Sequence, residues 1–353
     1  MVDTPLSDRP ASTQPGAASM SDVARRAGVA LGTVSNVLNR PSIVAPATRA
    51  RVLAAIDELG FVRNNLARTL ANGRADTLGF VIVDIGNSLF VDIARGAQAA
   101  SAEAGMKLLL ANSDVNFESQ NDFLDWFDEA RVGGVLLAPL DGPLEAAQRV
   151  RNHGRPVVTV NWPGNPGHSC GVTVDEEHGG YLAATHLLER GRTRLIFAGG
   201  PLSLHAVAER LSGARRAVAE WGSGTRLEVA ETARLTIRTG REFGKEIAAR
   251  KLSERPDAIV SAADALAAGC VQALVAERIR VPEDIAIIGY DNNHFAADSI
   301  IPISTVGQPG HEMGRIAAGL LLEEIAGGAH EHRTVTLAPE LFERASTAGD
   351  ARG

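Results

Sequence analysis

The 353-residue chain is predicted to be an α/β protein in two unlike parts: a small all-α helix-turn-helix head and a two-lobed, doubly wound body. Three observations lead there. Residues 20–39, MSDVARRAGVALGTVSNVLN, read as two short amphipathic helices across a tight turn. From Thr77 onward, short apolar runs closed by polar residues or Gly alternate with helical stretches, the pattern of βαβ units around parallel sheets. Charge is also divided. The 20–74 segment has eight arginines against Asp22, Asp57 and Glu58, a net of +5, whereas the whole chain carries −7.

In the head, Val23, Ala24 and Ala27 form the apolar face of the first helix. Gly28 is the residue type that ends a helix in the left-handed region at no steric cost. Val34, Val37 and Leu38 form the apolar face of the second helix at i, i+3, i+4 spacing. A third helix over Ala47–Leu59 turns Val52, Ile56 and Leu59 inward. Such a pair presents the start of its second helix, with Thr33, Ser35 and Asn36, to a neighbour. This is the geometry by which a helix enters the DNA major groove. A basic head on an acidic body is the charge pattern expected when only the head meets phosphate.

In the body, strands are predicted in 78–84, 106–112, 134–139, 156–161, 194–200, 257–264 and 284–291, with helices over Phe90–Ala104, Gly179–Arg190 and Ala265–Arg278. About ten strands fit two lobes better than one sheet. Ligands of such sheets bind beyond the carboxyl ends of the strands. Topology therefore gathers Asp84, Asn161, Asp264 and Asp291, which close four of the runs.

Composition narrows the classes. The length exceeds one compact core, and 45% hydrophobic residues with only 4% aromatics leave the packing to Ala, Val, Leu and Ile. No run of 18 uncharged apolar residues suggests a membrane span. Residues 1–19 are rich in Pro, Ser, Thr and Ala and read as a disordered extension without a signal pattern, with Met20 an alternative start. Two cysteines make no disulfide framework, and a cytoplasmic location is expected. GxGxxG after the first strand, GxxxxGK[ST] and GxSxG are all missing, and Ser203 and His205, two apart on one loop, do not usually reach each other as nucleophilic catalysis requires. His168, Cys170 and His178 match no zinc spacing, so neither metal nor cofactor is expected.

The phrases DVARRAGVALGTVSNVLNRP, TRARVLAAIDELGFVRNNLARTL, VDEEHGGYLAATHLLERG, AERLSG, DALAAG, VPEDIAIIGYDN and TVGQPGHEMG run in order from about Met20 to Thr347. In this ordered set the chain resembles the lactose/galactose repressor (LacI/GalR) family of bacterial transcription regulators. The resemblance implies a helix-turn-helix domain over 20–62, a hinge over 63–76 and a periplasmic-binding-protein-like effector domain over 77–347. Its crossovers are expected near Asp175, Pro302 and His330, giving an N-lobe of 77–174 and 303–330 and a C-lobe of 175–302 and 331–347. It implies a homodimer on a pseudo-palindromic operator, controlled by a sugar or related metabolite in the cleft.

By the same resemblance, Leu31, Gly32 and Asn36 meet base edges, and Thr33, Ser35, Asn39 and Thr48 bond phosphate, with Arg49 adding charge. Leu31 offers only apolar contact and Gly32 none, so hydrogen-bonded readout rests on Asn36. Ala30 and Ala45 stand where a capping Ser is common. Each such exchange forgoes about 0.5–2 kcal/mol, which Pro46 partly offsets at the second site. In the hinge, Asn64 fits an N-cap, Ala67 faces its mate, and Leu70 matches a residue wedged into the minor groove; Arg63 replaces a common Pro. In the cleft, Phe90 and Trp162 match ring-stacking positions, Arg210 an effector-binding arginine, Asp264 and Asp291 hydroxyl acceptors, and Gln308 the cleft floor. Ala263 and Asn161 depart from residues associated with sugar recognition. Release of DNA on ligand binding is the expected sign. A corepressor-dependent regulator sensing a nucleobase or other non-sugar metabolite is the alternative, and a solute-binding protein without a DNA role is the other class. No leucine heptads follow LFERASTAGDARG, so a terminal tetramer helix is not expected.

Overall fold

The computed structural model describes residues 18–61, 75–140, 142 and 144–348. The chain separates into two units at Gly73–Arg74. The hinge residues Asn64, Ala67 and Leu70 lie outside the described residues.

The head has three helices, α1 (Met20–Ala27), α2 (Leu31–Asn39) and α3 (Pro46–Leu59), with a 3-10 turn at Pro41–Ile43. Ser19 belongs to this unit rather than to the extension. Its hydroxyl accepts from the Asp22 N–H at 3.3 Å, and the Asp22 carboxylate accepts from the Ser19 N–H at 2.9 Å. That reciprocal pair satisfies two helix-start donors. Gly28 ends α1 at φ +65°, with its N–H on the Ala24 and Arg25 carbonyls. Ala30 and Ala45 start α2 and α3 without a side-chain cap, and Pro46 occupies the first turn of α3. Val23, Ala24, Ala27, Val34, Val37, Val52 and Ala55 form the buried core.

The body contains two six-stranded sheets. The N-lobe sheet has the order β11-β5-β4-β3-β1-β2, built from β1 (Thr77–Ile82), β2 (Lys107–Asn112), β3 (Val135–Leu137), β4 (Val157–Val160), β5 (Gly171–Val174) and β11 (Thr334–Leu337). All its pairings are parallel. Helices α4 (Ser88–Glu103), α5 (Phe117–Glu129), α6 (Glu145–Asn152) and α12 (Gly310–Ala326) flank it. The C-lobe sheet has the order β12-β10-β9-β8-β6-β7, with β6 (Arg194–Gly199), β7 (Arg226–Glu231), β8 (Ala258–Ser261), β9 (Ala286–Asp291), β10 (Ser304–Gly307) and β12 (Glu340–Phe342). Only β12 is antiparallel. Its helices are α7 (Glu176–Glu189), α8 (His205–Trp221), α9 (Ile237–Ala249), α10 (Asp264–Ala276), α11 (His294–Ala297) and α13 (Ala345–Ala348).

Both sheets are covered on both faces, which explains their continuous apolar strands. Leu78, Phe80 and Ile82 of β1 point into one core with α4 and α12, while Val81 joins the opposite core with α5 and α6. In β6, Leu195 and Phe197 face one side, and Ile196 and Ala198 the other.

The chain crosses between lobes after Val174, after Gly307 and after Leu337. The second and third crossings therefore lie beyond the expected Pro302 and His330. Ser304–Gly307 pairs in parallel with β9 and extends the C-lobe sheet, and Thr334–Leu337 pairs with β5 and returns to the N-lobe sheet. The N-lobe thus takes 308–337 instead of 303–330. These strands have four residues each and polar side chains among their apolar ones, so neither shows as an apolar run.

Helix pairs on the sheet faces approach closely through glycine. A Cβ added to Gly96 on α4 would lie 1.9 Å from the His311 carbonyl oxygen, and one on Gly314 of α12 would lie 1.9 Å from that of Ile93. Gly319, also on α12, faces open space. Gly96→Ala is expected to cost about 1–3 kcal/mol of body stability through overpacking, and Gly319→Ala to be neutral or slightly stabilising. Urea unfolding of the two variants checks the contrast.

Candidate effector cleft and nucleic-acid face

On α2, the buried Val34 and Val37 fix which side turns to solvent. Leu31, Gly32, Asn36 and Asn39 are exposed on the opposite side, and Ser35 is half-buried among them. The Asn39 amide donates to the Ser35 hydroxyl at 3.2 Å. Thr33 and Thr48 are half-buried. Arg25 and Arg26 are paired with Asp22 and Glu58, whereas Arg40, Arg49 and Arg51 stand exposed. The face carries the side-chain amides of Asn36 and Asn39 and the Ser35 hydroxyl.

In the body, the carboxyl ends of both sheets enclose a cavity of about 130 Å³. A single water needs only about 10–15 Å³ on the same measure. Asp84, Phe90, Asn161, Trp162, Arg210 and Asp291 all line it. Asp84 follows β1, and its carboxylate accepts from the Gly86 N–H at 2.7 Å. Phe90, on α4, is buried and joins the N-lobe core. Asn161 follows β4 at φ +57°, and its Oδ1 is buried without a hydrogen-bond partner. Trp162 packs on His205 of the other lobe, with ring centroids 5.0 Å apart.

Two expected residues do not line this cavity. Asp264 is already the first residue of α10, and its carboxylate turns away to accept from the Asn293 N–H at 2.9 Å. It also packs so closely on Gly289 that a Cβ there would meet it at 2.1 Å. Burial, reinforced by the charge of Asp291, holds its pKa well above the usual carboxylate range. Gln308 stands behind the cavity wall, and its Nε2 donates to Asp291 Oδ1 at 2.8 Å.

Arg210 is a buried ion-pair residue as well as a lining one. Its Nε and Nη2 reach both carboxylate oxygens of Glu176 at 2.8 and 2.9 Å, and Nη1 donates to the Ala262 carbonyl at 2.7 Å. The guanidinium lies 3.7 Å over the Tyr290 ring, and Nη2 is 3.7 Å from Asp291 Oδ1. Burial opposes the charge of Arg210, but Glu176 and then Asp291 outweigh it, and its pKa is raised. Burial raises the pKa of Asp291, to about 6; Arg210, Gln308 and Asn87 oppose the rise, and the charge of Glu176 adds to it. Asp291 also sits at φ +103°, a strained position for a non-glycine residue.

Sequence reasoning missed Glu176, Asn87 and His205. Asn87, in the β1–α4 loop, donates to Asp291 Oδ2 at 3.1 Å and so joins the lobes across the cleft. Asp114 and Arg234 also pair across it at 3.3 Å, both exposed. The N-cap pattern of NSLF could have identified Asn87; nothing in the VDEEHGG phrase separates Glu176 from Glu177.

Fold and site together define a helix-turn-helix DNA-binding regulator with a two-lobed ligand-binding body. Residues 19–64 match the family of bacterial regulatory proteins, lacI family, and residues 184–347 match the periplasmic binding protein-like domain. The chain is 33% identical to the HTH-type transcriptional repressor PurR of Vibrio atlanticus (strain LGP32), covering 93% of this chain and 98% of that one. It is 32% identical to the ribose operon repressor of Escherichia coli (strain K12), covering 93% and 99%. Among solved structures it is similar to the transcriptional regulator CelR–cellobiose complex, at 30% identity and TM-score 0.67, covering 93% and 99%. The chain belongs to the lacI family and is a DNA-binding repressor controlled by a small-molecule effector. No described helix is long and apolar enough to cross a membrane.

The Asp291 value carries a pH prediction. A folded-state pKa of about 6 exceeds the ordinary value of about 3.9. Between those two pH values the folded chain binds more protons than the unfolded one. This carboxyl's contribution to stability is therefore present below about pH 4 and lost as the pH rises to about 6, an effect of about 3 kcal/mol. Urea unfolding from pH 4 to 6.5 is expected to show a smaller decline for Asp291→Asn than for the natural chain.

Proposed function

We propose that the chain represses transcription as a homodimer on a pseudo-palindromic operator, and that a neutral, hydroxyl-bearing small molecule in the cleft releases it. The observation that carries the effector class is the charge and hydrogen-bond state of the cavity. Two guanidiniums line the cavity: Arg210 is matched by Glu176 and Asp291, Arg234 pairs with Asp114 at 3.3 Å, and Asp84 adds a further carboxylate. An anionic ligand enters against that excess. Asn161 lines the cavity, and its Oδ1 is an acceptor without a hydrogen-bond partner. Phe90 and Trp162 offer flat apolar surface to a sugar ring, and equally to a nucleobase. The relatives named for a ribose operon and seen with cellobiose agree with the first ligand.

On DNA, α2 is assigned to the major groove. Leu31 makes apolar contact, Gly32 permits close approach, Asn36 reads a base edge, and Thr33, Ser35, Asn39 and Thr48 set register on phosphate. The hinge residues Asn64, Ala67 and Leu70 are assigned to a short helix that forms on DNA, with Leu70 unstacking a base step. A helix of that length is unstable alone, which makes it the natural relay for a coupling of about 1–3 kcal/mol. The chain is read as non-catalytic, cytoplasmic and associated with the nucleoid through its operator.

A thermal-shift panel on the purified chain tests the effector class. Free sugars, polyols or nucleobases are expected to raise the melting temperature, and phosphorylated sugars are not; stabilisation by phosphorylated sugars alone overturns the charge argument. Trp162→Ala should abolish the shift. For the head, Asn36→Ala is expected to weaken operator binding by about 1–3 kcal/mol while leaving a random duplex unaffected. Equal loss on both duplexes, read by fluorescence anisotropy, would move Asn36 to a phosphate contact. Leu70→Ala should weaken operator binding with ligand affinity intact.

A further inference from the structure

The N-lobe holds a second set of chemistry-bearing side chains, at the starting ends of its strands, opposite the cleft. Cys170 immediately precedes β5 and is fully buried. Its sequence neighbours His168 and His178 are not its partners. The partners are His330 and His332, 160 and 162 positions later, in the extended segment before β11. Strand pairing brings them there. Thr334 is in register with Gly171, and the Gly171 N–H donates to the Arg333 carbonyl at 3.0 Å, so Cys170 lies beside Arg333. Residues two apart on extended chain share a face. His330 and His332 accordingly turn inward together, and Glu331 between them is exposed.

The three ligand atoms fit one ion. Cys170 Sγ is 3.2 Å from His330 Nε2 and 3.9 Å from His332 Nδ1, and all three atoms lie within 4.8 Å of one another. Zinc bonds of about 2.3 Å to sulfur and about 2.0–2.1 Å to nitrogen give tetrahedral S···N edges of about 3.6 Å, between the two observed values. A thiol's single proton cannot bond both ring nitrogens at once. A shared cation can, and the Arg333 N–H, 3.4 Å from Sγ, supports a thiolate. His330 Nδ1 is 3.9 Å from the Glu323 carboxylate, which Arg333 holds at 3.1 Å. His332 Nε2 is 3.5 Å from Arg151, which is bound to Glu324 at 2.8 Å.

We propose that Cys170, His330 and His332 bind a divalent transition-metal ion of the zinc class through one thiolate and two imidazoles, with water as fourth ligand. Binding releases the thiol proton to solvent. The ion clamps the segment before β11, an edge strand paired with β5, to the body of the sheet.

The test uses untagged full-length protein, stripped with chelator, kept reduced and titrated with Co²⁺. A thiolate-to-cobalt charge-transfer band is expected to grow to one equivalent and to disappear on adding Zn²⁺. Cys170→Ser should abolish it, while the fully buried Cys270 remains as an internal control. His330→Gln and His332→Gln, at half-buried positions, should each weaken Co²⁺ binding about tenfold or more and remove the rise in melting temperature that Zn²⁺ gives the natural chain. No band in excess Co²⁺, a band that survives Cys170→Ser, or unchanged affinity in both histidine variants overturns the site. These readouts need neither operator nor effector.

Discussion

Burying Arg210 in the floor of the cleft is the constraint around which the C-lobe is arranged. A guanidinium loses several kcal/mol of hydration when taken out of water, and only well-placed partners recover it. Glu176 supplies a two-pronged partner, the Ala262 carbonyl takes a third bond, and Tyr290 presents its ring face. These partners come from α7, the end of β8, and β9, while Arg210 itself comes from α8. One side chain therefore ties two helices to two strands at the ligand-binding edge of the sheet. The close approach of α7 and α8 is what permits it: a Cβ on Gly180 would meet the Arg210 carbonyl oxygen at 1.9 Å, and one on Gly213 that of Glu177 at 1.8 Å. Removing Arg210 leaves the carboxylates of Glu176 and Asp291 buried without their cation, and breaking such a buried pair typically costs about 3–5 kcal/mol.

This explains which parts of the site were legible in the sequence. The alternation of apolar runs and helices located seven strands, and parallel topology then sends Asp84, Asn161 and Asp291 to one edge. Asp264 escaped that logic because β8 stops at Ser261 and Asp264 already begins α10, so its carboxylate serves the Asn293 N–H behind the sheet. Arg210 was legible as a cleft residue but not as an ion pair, since its partner lies 34 positions earlier on another helix. The short strands β5, β7, β10, β11 and β12 were missed, and with them the last two crossings. Cys170 shows the same limit. Strand pairing defines its neighbourhood, and no local spacing encodes that.

The head was more legible because its determinants are local. Gly28, the apolar faces of α1 and α2, and Pro46 act within one or two helical turns. The two uncapped helix starts leave amide donors without side-chain partners. The reciprocal bond of Ser19 and Asp22 compensates at α1 alone. Order in this small unit thus depends on a core made chiefly of Val and Ala, and stabilisation on meeting DNA counts for more than in a head with three capped helices.

The cleft and the two lobes are coupled through the same carboxylate. Asp291 Oδ2 accepts from Asn87 of the N-lobe, and Oδ1 from Gln308, which lies directly beyond β10 where the chain crosses back. A hydrogen bond to a charged acceptor is worth about 1.5–3 kcal/mol, comparable with a typical allosteric coupling energy of about 1–3 kcal/mol. A ligand hydroxyl that takes either oxygen competes with one lobe-joining contact or with the crossover itself. No rearrangement of the Arg210–Glu176 pair is required for that exchange. The buried pair is held by its own bonds, whereas Asp291 is strained in its backbone and shared between the lobes through Asn87 and Gln308.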